Sequence, residues 1–208
     1  MTNSPVIVVG RQFGSGGRQL ARLLARRLNL PYYDRELLRE TASHMGFSPE
    51  VFAANDEKRP SLFRSLASHL YGVADNYGST PMSRDEIYRQ QGEVIREIAD
   101  RGGCVIVGRS ADYILRDHPG LVSIFLHAPL PWRIARIMER GDAATEHDAE
   151  LLAHKIDSQR EAFYNYFTPG MWGYAPTYHL SIDASKLDPE QAVDLILSYA
   201  SQKNIDRD

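Results

Sequence analysis

The sequence predicts a three-layer α/β fold built on a five-stranded, mostly parallel sheet. Three observations carry that expectation. Short β-branched runs recur along the chain, the stretches between them place apolar residues three and four apart, and a glycine cluster follows the first run directly. Strands that alternate with helices form a parallel sheet covered on both faces. Such a sheet takes its ligands beyond the carboxyl ends of its strands.

The first strand is Val6 to Val9, β-branched throughout and closed by Gly10, as suits a strand buried on both faces. A glycine-rich loop leads into a helix whose Leu20, Leu23, Leu24 and Leu28 share one face while Arg22, Arg26 and Arg27 fill the other. Asn29-Leu30-Pro31 stops that helix, and Tyr32-Tyr33-Asp34 reads as a short second strand. Ile87, Gln91, Val94, Ile95 and Ile98 mark the helix before a third strand, Cys104 to Val107. Leu121 to Leu126 is the fourth strand, followed by helices over Pro131 to Arg140 and roughly Asp148 to Phe167. The weaker run Tyr178 to Asp183 is the fifth. Asp188 caps a last helix with Pro189 at its first position. Gly46 to Arg84, with Pro49, Pro60 and Pro81, reads as helices and loops inserted between the second and third strands, and Gly141 to His147 as a mobile tip between two helices.

A chain of 208 residues fits one domain, here residues 1–208, with the insertion at about 44–86 and a lid at about 133–160. Lys and Arg number 24 against 27 Asp and Glu, a formal charge of −3. That balance gives no global reason to expect nucleic-acid or membrane binding, so an anionic ligand must be held by a local cluster. One cysteine, Cys104, excludes an internal disulfide framework and reads as a buried strand residue. No apolar run approaches the ~20 residues of a membrane helix. Met1 to Pro5 lacks the basic and apolar regions of a signal peptide, so the expected location is the cytoplasm.

The strongest chemical signal is the stretch Gly10 to Gln19, between the first strand and an arginine-lined helix. Four of the eight residues from Gly10 to Gly17 are glycine. Such a backbone can wrap an anion and aim several N–H groups at it from the positive end of a helix. The stretch reads as a phosphate loop, with Gly14, Ser15, Gly16, Gly17, Arg18 and Gln19 as its ligand-facing residues. Setting Gly14-Ser15-Gly16 on the usual Gly-x-Gly puts Gly17 where lysine would stand and Gln19 where many nucleotide kinases have threonine; one inserted residue would bring Arg18 to the lysine position instead. Arginine can neutralise phosphate oxygens, although its planar fork differs from a point-charge ammonium.

Three segments together, Gly14 to Gln19, Pro31 to Leu38 and Val107 to Asp112, resemble the cytidylate-kinase-like family of phosphate-loop proteins. Lys155 to Arg160 and Phe167 to Gly173 resemble that family's closing segment. The resemblance implies a P-loop fold of the nucleoside-monophosphate-kinase type with an acceptor-binding insertion and an arginine-bearing lid. It implies phosphoryl transfer from ATP, with Mg2+ carried through nucleotide phosphates and water, to a nucleoside monophosphate such as CMP or dCMP. Small nucleotides are then the partners, and a homo-oligomer is compatible with this reading.

By the same resemblance Asp34 ends the second strand as the family's aspartate does, and Gly108-Arg109 matches the pair that touches the acceptor phosphate. Arg133, Arg136 and Arg140 stand as lid arginines for the transferring group, and Arg160 as the arginine that closes the site. Asp34 or Asp112 could bind magnesium through water or orient the acceptor. In the insertion, Arg59, Arg64 and Arg84 are available cations, but no cytosine-reading motif of the family aligns there. Two alternatives stay open: a kinase of a non-nucleotide metabolite, and a nucleotide-binding sensor of weak activity, the latter motivated by the missing lysine and Ser/Thr. The seven histidines show no metal-ligand spacing. Tyr164, Tyr166, Phe167, Trp172 and Tyr174 read as packing for the last helices, with a base-stacking surface or a dimer contact as the other uses.

Overall fold

The computed structural model describes residues 4–34, 38, 43, 45, 46 and 84–205. Most of the expected insertion, Arg59 and Arg64 included, lies outside the described residues. The order is β1 (Val6–Arg11), α1 (Gly17–Leu28), β2 (Tyr32–Tyr33), α2 (Arg84–Asp100), β3 (Cys104–Val107), α3 (Ala111–Ile114), β4 (Leu121–His127), α4 (Leu130–Glu139), α5 (Glu146–Phe167), β5 (Leu180–Asp183) and α6 (Pro189–Ile205). The five strands form one sheet in the order β2-β3-β1-β4-β5, and every pairing is parallel.

β1 is central because it is apolar on both faces. Val6 and Val8 point into one core with Val94, Ile95, Ile98 and Ile106, beneath α2 and α3. Ile7 and Val9 point into the other with Leu20, Leu24, Ile124 and Ile196, beneath α1 and α6. Side chains alternate across a strand, so a β-branched run is what two covered faces require. Cys104 is buried in the first of these cores, and burial pushes its thiol up to about 12, which leaves it unreactive.

α1 is terminated by Asn29, which adopts the left-handed conformation at φ 51°. The N–H groups of Asn29 and Leu30 return to the carbonyls of Arg26 and Ala25, at 3.2 and 2.9 Å, satisfying the last turn's free acceptors. α4 and α5, the stretch expected as a lid, form a hairpin with a small core of its own, Ile137 against Ala149 and Ala153 with Phe13 beside them.

The topology decides where a ligand can sit. The chain leaves β1 toward α1 on one face and leaves the adjacent β3 toward α3 on the other. Diverging exits from neighbouring strands open a crevice at their carboxyl ends.

Candidate functional site

In the glycine loop after β1, Gly14 and Gly16 hold φ +83° and +89°, a conformation that costs glycine little and other residues much. Gly16 is the N-cap of α1, so the amides of the helix's first turn face the groove without an intrahelical acceptor. Ser15, expected as a ligand-facing hydroxyl, is buried instead. Its Oγ and N–H both donate to the Gln12 carbonyl, at 2.8 and 3.3 Å. The side chain of Gln12 in turn accepts from the Ala128 N–H at 3.1 Å, tying the loop to the end of β4.

The loop is also clamped from the hairpin. Asp157 accepts the Phe13 N–H at 2.7 Å and the Arg133 guanidinium at 2.7 Å, with Arg160 at 3.6 Å. Arg133 further donates to the carbonyls of Ala128 and Phe13, each at 3.0 Å. Burial raises the Asp157 carboxyl above its ordinary range, against the opposing pull of the Phe13 N–H and of Arg160 and Arg133. Arg133 is thus buried and committed to the fold. The expectation that it serves a transferring group is corrected, because the side chain is buried and its Nε and Nη1 donate to two carbonyls and a carboxylate.

Two pockets occupy the crevice. One lies over the glycine loop and is lined by Gly14, Gly16, Gly17, Arg18, Arg140 and Arg160, among others. Arg18 and Gln19 stand exposed at its rim. The other lies at the end of β3 between Gly108, Arg109 and Asp112 on one side and Phe163, Trp172 and Tyr178 on the other. Arg160 lines both, donates to the Arg11 carbonyl at 3.1 Å, and rides with Arg140 above the Phe13 ring. Of the expected site residues, Arg18, Arg109, Asp112, Arg140 and Arg160 are brought together here.

Arg136 and Asp34 are not. Arg136 bonds Gln19, stacks 4.8 Å above the Trp132 ring, and lines a third, mainly apolar pocket with Leu126, Ala184 and Leu187. Asp34 is buried at the end of β2, takes the Tyr32 hydroxyl at 3.3 Å, has Arg22 at 3.9 Å, and is not among the described residues lining either crevice pocket.

At the end of β3, Gly108, Arg109 and Ser110 are left-handed in succession, with φ of 73°, 63° and 50°. For two non-glycine residues this stores strain of about 1–3 kcal/mol each, of the kind found where function over-determines the backbone. The turn sets Asp112 beneath the pocket, where Tyr164 donates to its Oδ2 at 2.7 Å. Burial pushes the Asp112 carboxyl up to about 6, although the Tyr164 hydroxyl and local backbone N–H groups pull it down. Burial and this carboxyl together raise the Tyr164 and Tyr178 hydroxyls.

A carboxyl raised above its unfolded value contributes stability that is present at low pH and lost as pH rises through about 6. The melting-temperature difference between Asp112→Asn and the wild type is therefore expected to move by several degrees in the variant's favour between pH 4 and pH 8. A difference that does not change with pH would show that the carboxyl ionises normally.

Arg11 was not singled out by the sequence reading, yet it lines both crevice pockets. The aromatic residues divide. Tyr164 and Trp172 wall the β3 pocket, Phe167 stacks on Tyr88 at 4.2 Å, and Tyr166 and Tyr174 are exposed. Among the described residues no three His, Cys, Asp or Glu groups cluster as metal ligands, and no helix is long and apolar enough to cross a membrane.

The model of the cytidylate kinase-like family matches residues 6–186. The cytidylate kinase of Methanosarcina barkeri is 25% identical over 190 residues, covering 88% of this chain and 89% of the relative. A crystal structure of an uncharacterized protein from Eubacterium ventriosum superposes with a TM-score of 0.71 at 28% identity, covering 95% of this chain and 99% of that one. A gluconokinase from Sinorhizobium meliloti shares the fold at 14% identity and a TM-score of 0.55, with both chains covered in full.

Proposed function

The chain belongs to the cytidylate kinase-like family, a family of kinases, and from that premise we propose that it transfers the terminal phosphoryl group of ATP to a nucleoside monophosphate, CMP or dCMP. The observation that carries this reading is the pair of arginine-lined pockets at the carboxyl ends of adjacent strands, with Arg160 common to both. Phosphoryl transfer asks little covalent chemistry of a protein. It needs two phosphates held in line, neutralisation of charge on the equatorial oxygens, and exclusion of water.

In this reading the loop amides and Arg18 hold the donor phosphates, and Arg109 holds the acceptor phosphate. Arg140 and Arg160 face the group in transit. The apolar pocket beside Trp132, Arg136 and Leu187 takes the donor base, which assigns Arg136 to nucleotide binding. Asp112 orients the acceptor from below. Magnesium, which usually keeps several waters and relies on substrate phosphates, would neutralise phosphate oxygens when bound. The glycine cradle fits a polyphosphate, since Gly14 and Gly16 hold conformations a side chain would resist and Gly17 leaves no room for one.

The test is an ADP-release assay with ATP and magnesium against CMP, dCMP, UMP, AMP, GMP and TMP, with an acceptor-free control. Turnover of CMP and dCMP above the control is the expected result. No turnover with any of the six, alongside ATP binding shown by thermal shift, would overturn the nucleotide acceptor and leave a non-nucleotide metabolite or a sensing role.

A further inference from the structure

We infer that Arg11 supplies the cation that a phosphate-loop lysine would provide, and that Gly17 is glycine because the arginine stem lies over it. The inference rests on the kinase reading above and adds to it the residue placed between the two phosphates. Arg11 is the last residue of β1. A Cβ built on Gly17, the first residue of α1 and in register with lysine when Gly14-Ser15-Gly16 is set on Gly-x-Gly, would lie 2.6 Å from the Arg11 Cβ and 2.8 Å from its Cγ. The Cβ is fixed by the backbone of the central strand, so no rotamer of Arg11 relieves that contact. The arginine stem therefore fills the space into which a side chain at position 17 would project.

The stem ends at the second pocket. A Cβ on Gly108 would lie 2.1 Å from the Arg11 Nη1 and 3.2 Å from its Cζ, so the guanidinium rests on the start of the strained turn that carries Arg109. Among the described residues, Arg11 and Arg160 are the two common to the linings of the glycine-loop and β3 pockets. Arg160 arrives from α5 and Arg11 from β1, which brings two cations from independent elements to one boundary. Arg18, the substitute offered by sequence register, is exposed at the rim.

A fixed guanidinium at this boundary is suited to phosphoryl transfer. The acceptor phosphate oxygen forms the new P–O bond while the bond to the bridging oxygen breaks, its electron pair leaving with the nucleoside diphosphate. Arg11 keeps its protons throughout and offers donors to oxygens on both sides.

The experiment is calorimetric binding of ATP with magnesium to the wild type, Arg11→Met, Arg11→Lys and Arg18→Ala, with thermal melting of each. Methionine keeps an unbranched stem over Gly17 and removes the charge. Arg11→Met is expected to weaken ATP binding about tenfold or more, ~1.4 kcal/mol or above, while Arg11→Lys stays within about threefold and both melt near the wild type. The loss in Arg11→Met is expected to exceed that in Arg18→Ala. In the ADP assay Arg11→Met should lose about 10² to 10³ in kcat. If the wild type binds ATP and Arg11→Met binds within twofold of it, or if Arg18→Ala loses more, the assignment of Arg11 is overturned and the kinase reading stands. If the wild type does not bind ATP, the kinase reading fails and takes this one with it.

Discussion

Arg133→Met is expected to destabilise the folded protein by about 3–5 kcal/mol in denaturant unfolding, because it leaves Asp157 buried without its closest cation. In a chain of this size that lowers the melting temperature by something on the order of 10 °C. The arginine is 6% exposed and makes three hydrogen bonds, to the carbonyls of Ala128 and Phe13 and to Asp157. Methionine fills the stem's volume, so the loss reads the polar network and not a cavity. Adding Asp157→Asn to the same chain removes the stranded charge and should recover part of the stability. A loss below about 1 kcal/mol would place the pair in effective contact with water, as for an exposed salt bridge.

Arg160→Ala is expected to act on rate with little effect on stability. Removing one preorganised cation from a charge-spreading transition state typically costs 10² to 10³ in kcat, about 2.7–4 kcal/mol of barrier. Arg160 reaches both pockets, whereas Arg133 retains Asp157 and with it the clamp on Phe13. The ADP assay with the preferred acceptor should show this loss while the melting temperature falls by only a few degrees. Equal turnover in variant and wild type would remove Arg160 from the reacting group. A large fall in melting temperature would make it part of the clamp.

The strands were legible in the sequence because a parallel sheet covered on both faces demands unbroken apolar runs, and Val6 to Val9, Cys104 to Val107 and Leu121 to Leu126 supply them. β5 lies at the sheet edge with Ser181 exposed, so its pattern is diluted and its start was placed two residues early. α3 was not legible: it has four residues and opens from left-handed Arg109 and Ser110, residue types that rarely announce that conformation. The glycine loop announced itself through composition. The arginines at and just after α4 did not sort themselves, because spacings of three and four put Arg133, Arg136 and Arg140 on one helix face while their fates depend on distant partners. Arg133 turns inward to meet Asp157, Arg136 turns to Gln19 and Trp132, and Arg140 to Phe13 and Asp142. Arg11 was obscured for the same reason, since its path is defined by what Gly17 lacks.

The Asp157 clamp also bears on the thermodynamics of ligand capture. A flexible loop loses conformational entropy at the moment it closes on an anion, and that loss is subtracted from affinity. Here the Phe13 amide and carbonyl are already fixed by Asp157 and Arg133, so the ordering cost falls on folding and not on binding. On the proposed function, thermal robustness and affinity for polyphosphate are linked through the same few bonds. Warming that loosens the α4–α5 hairpin should erode the anion cradle well before the central sheet gives way.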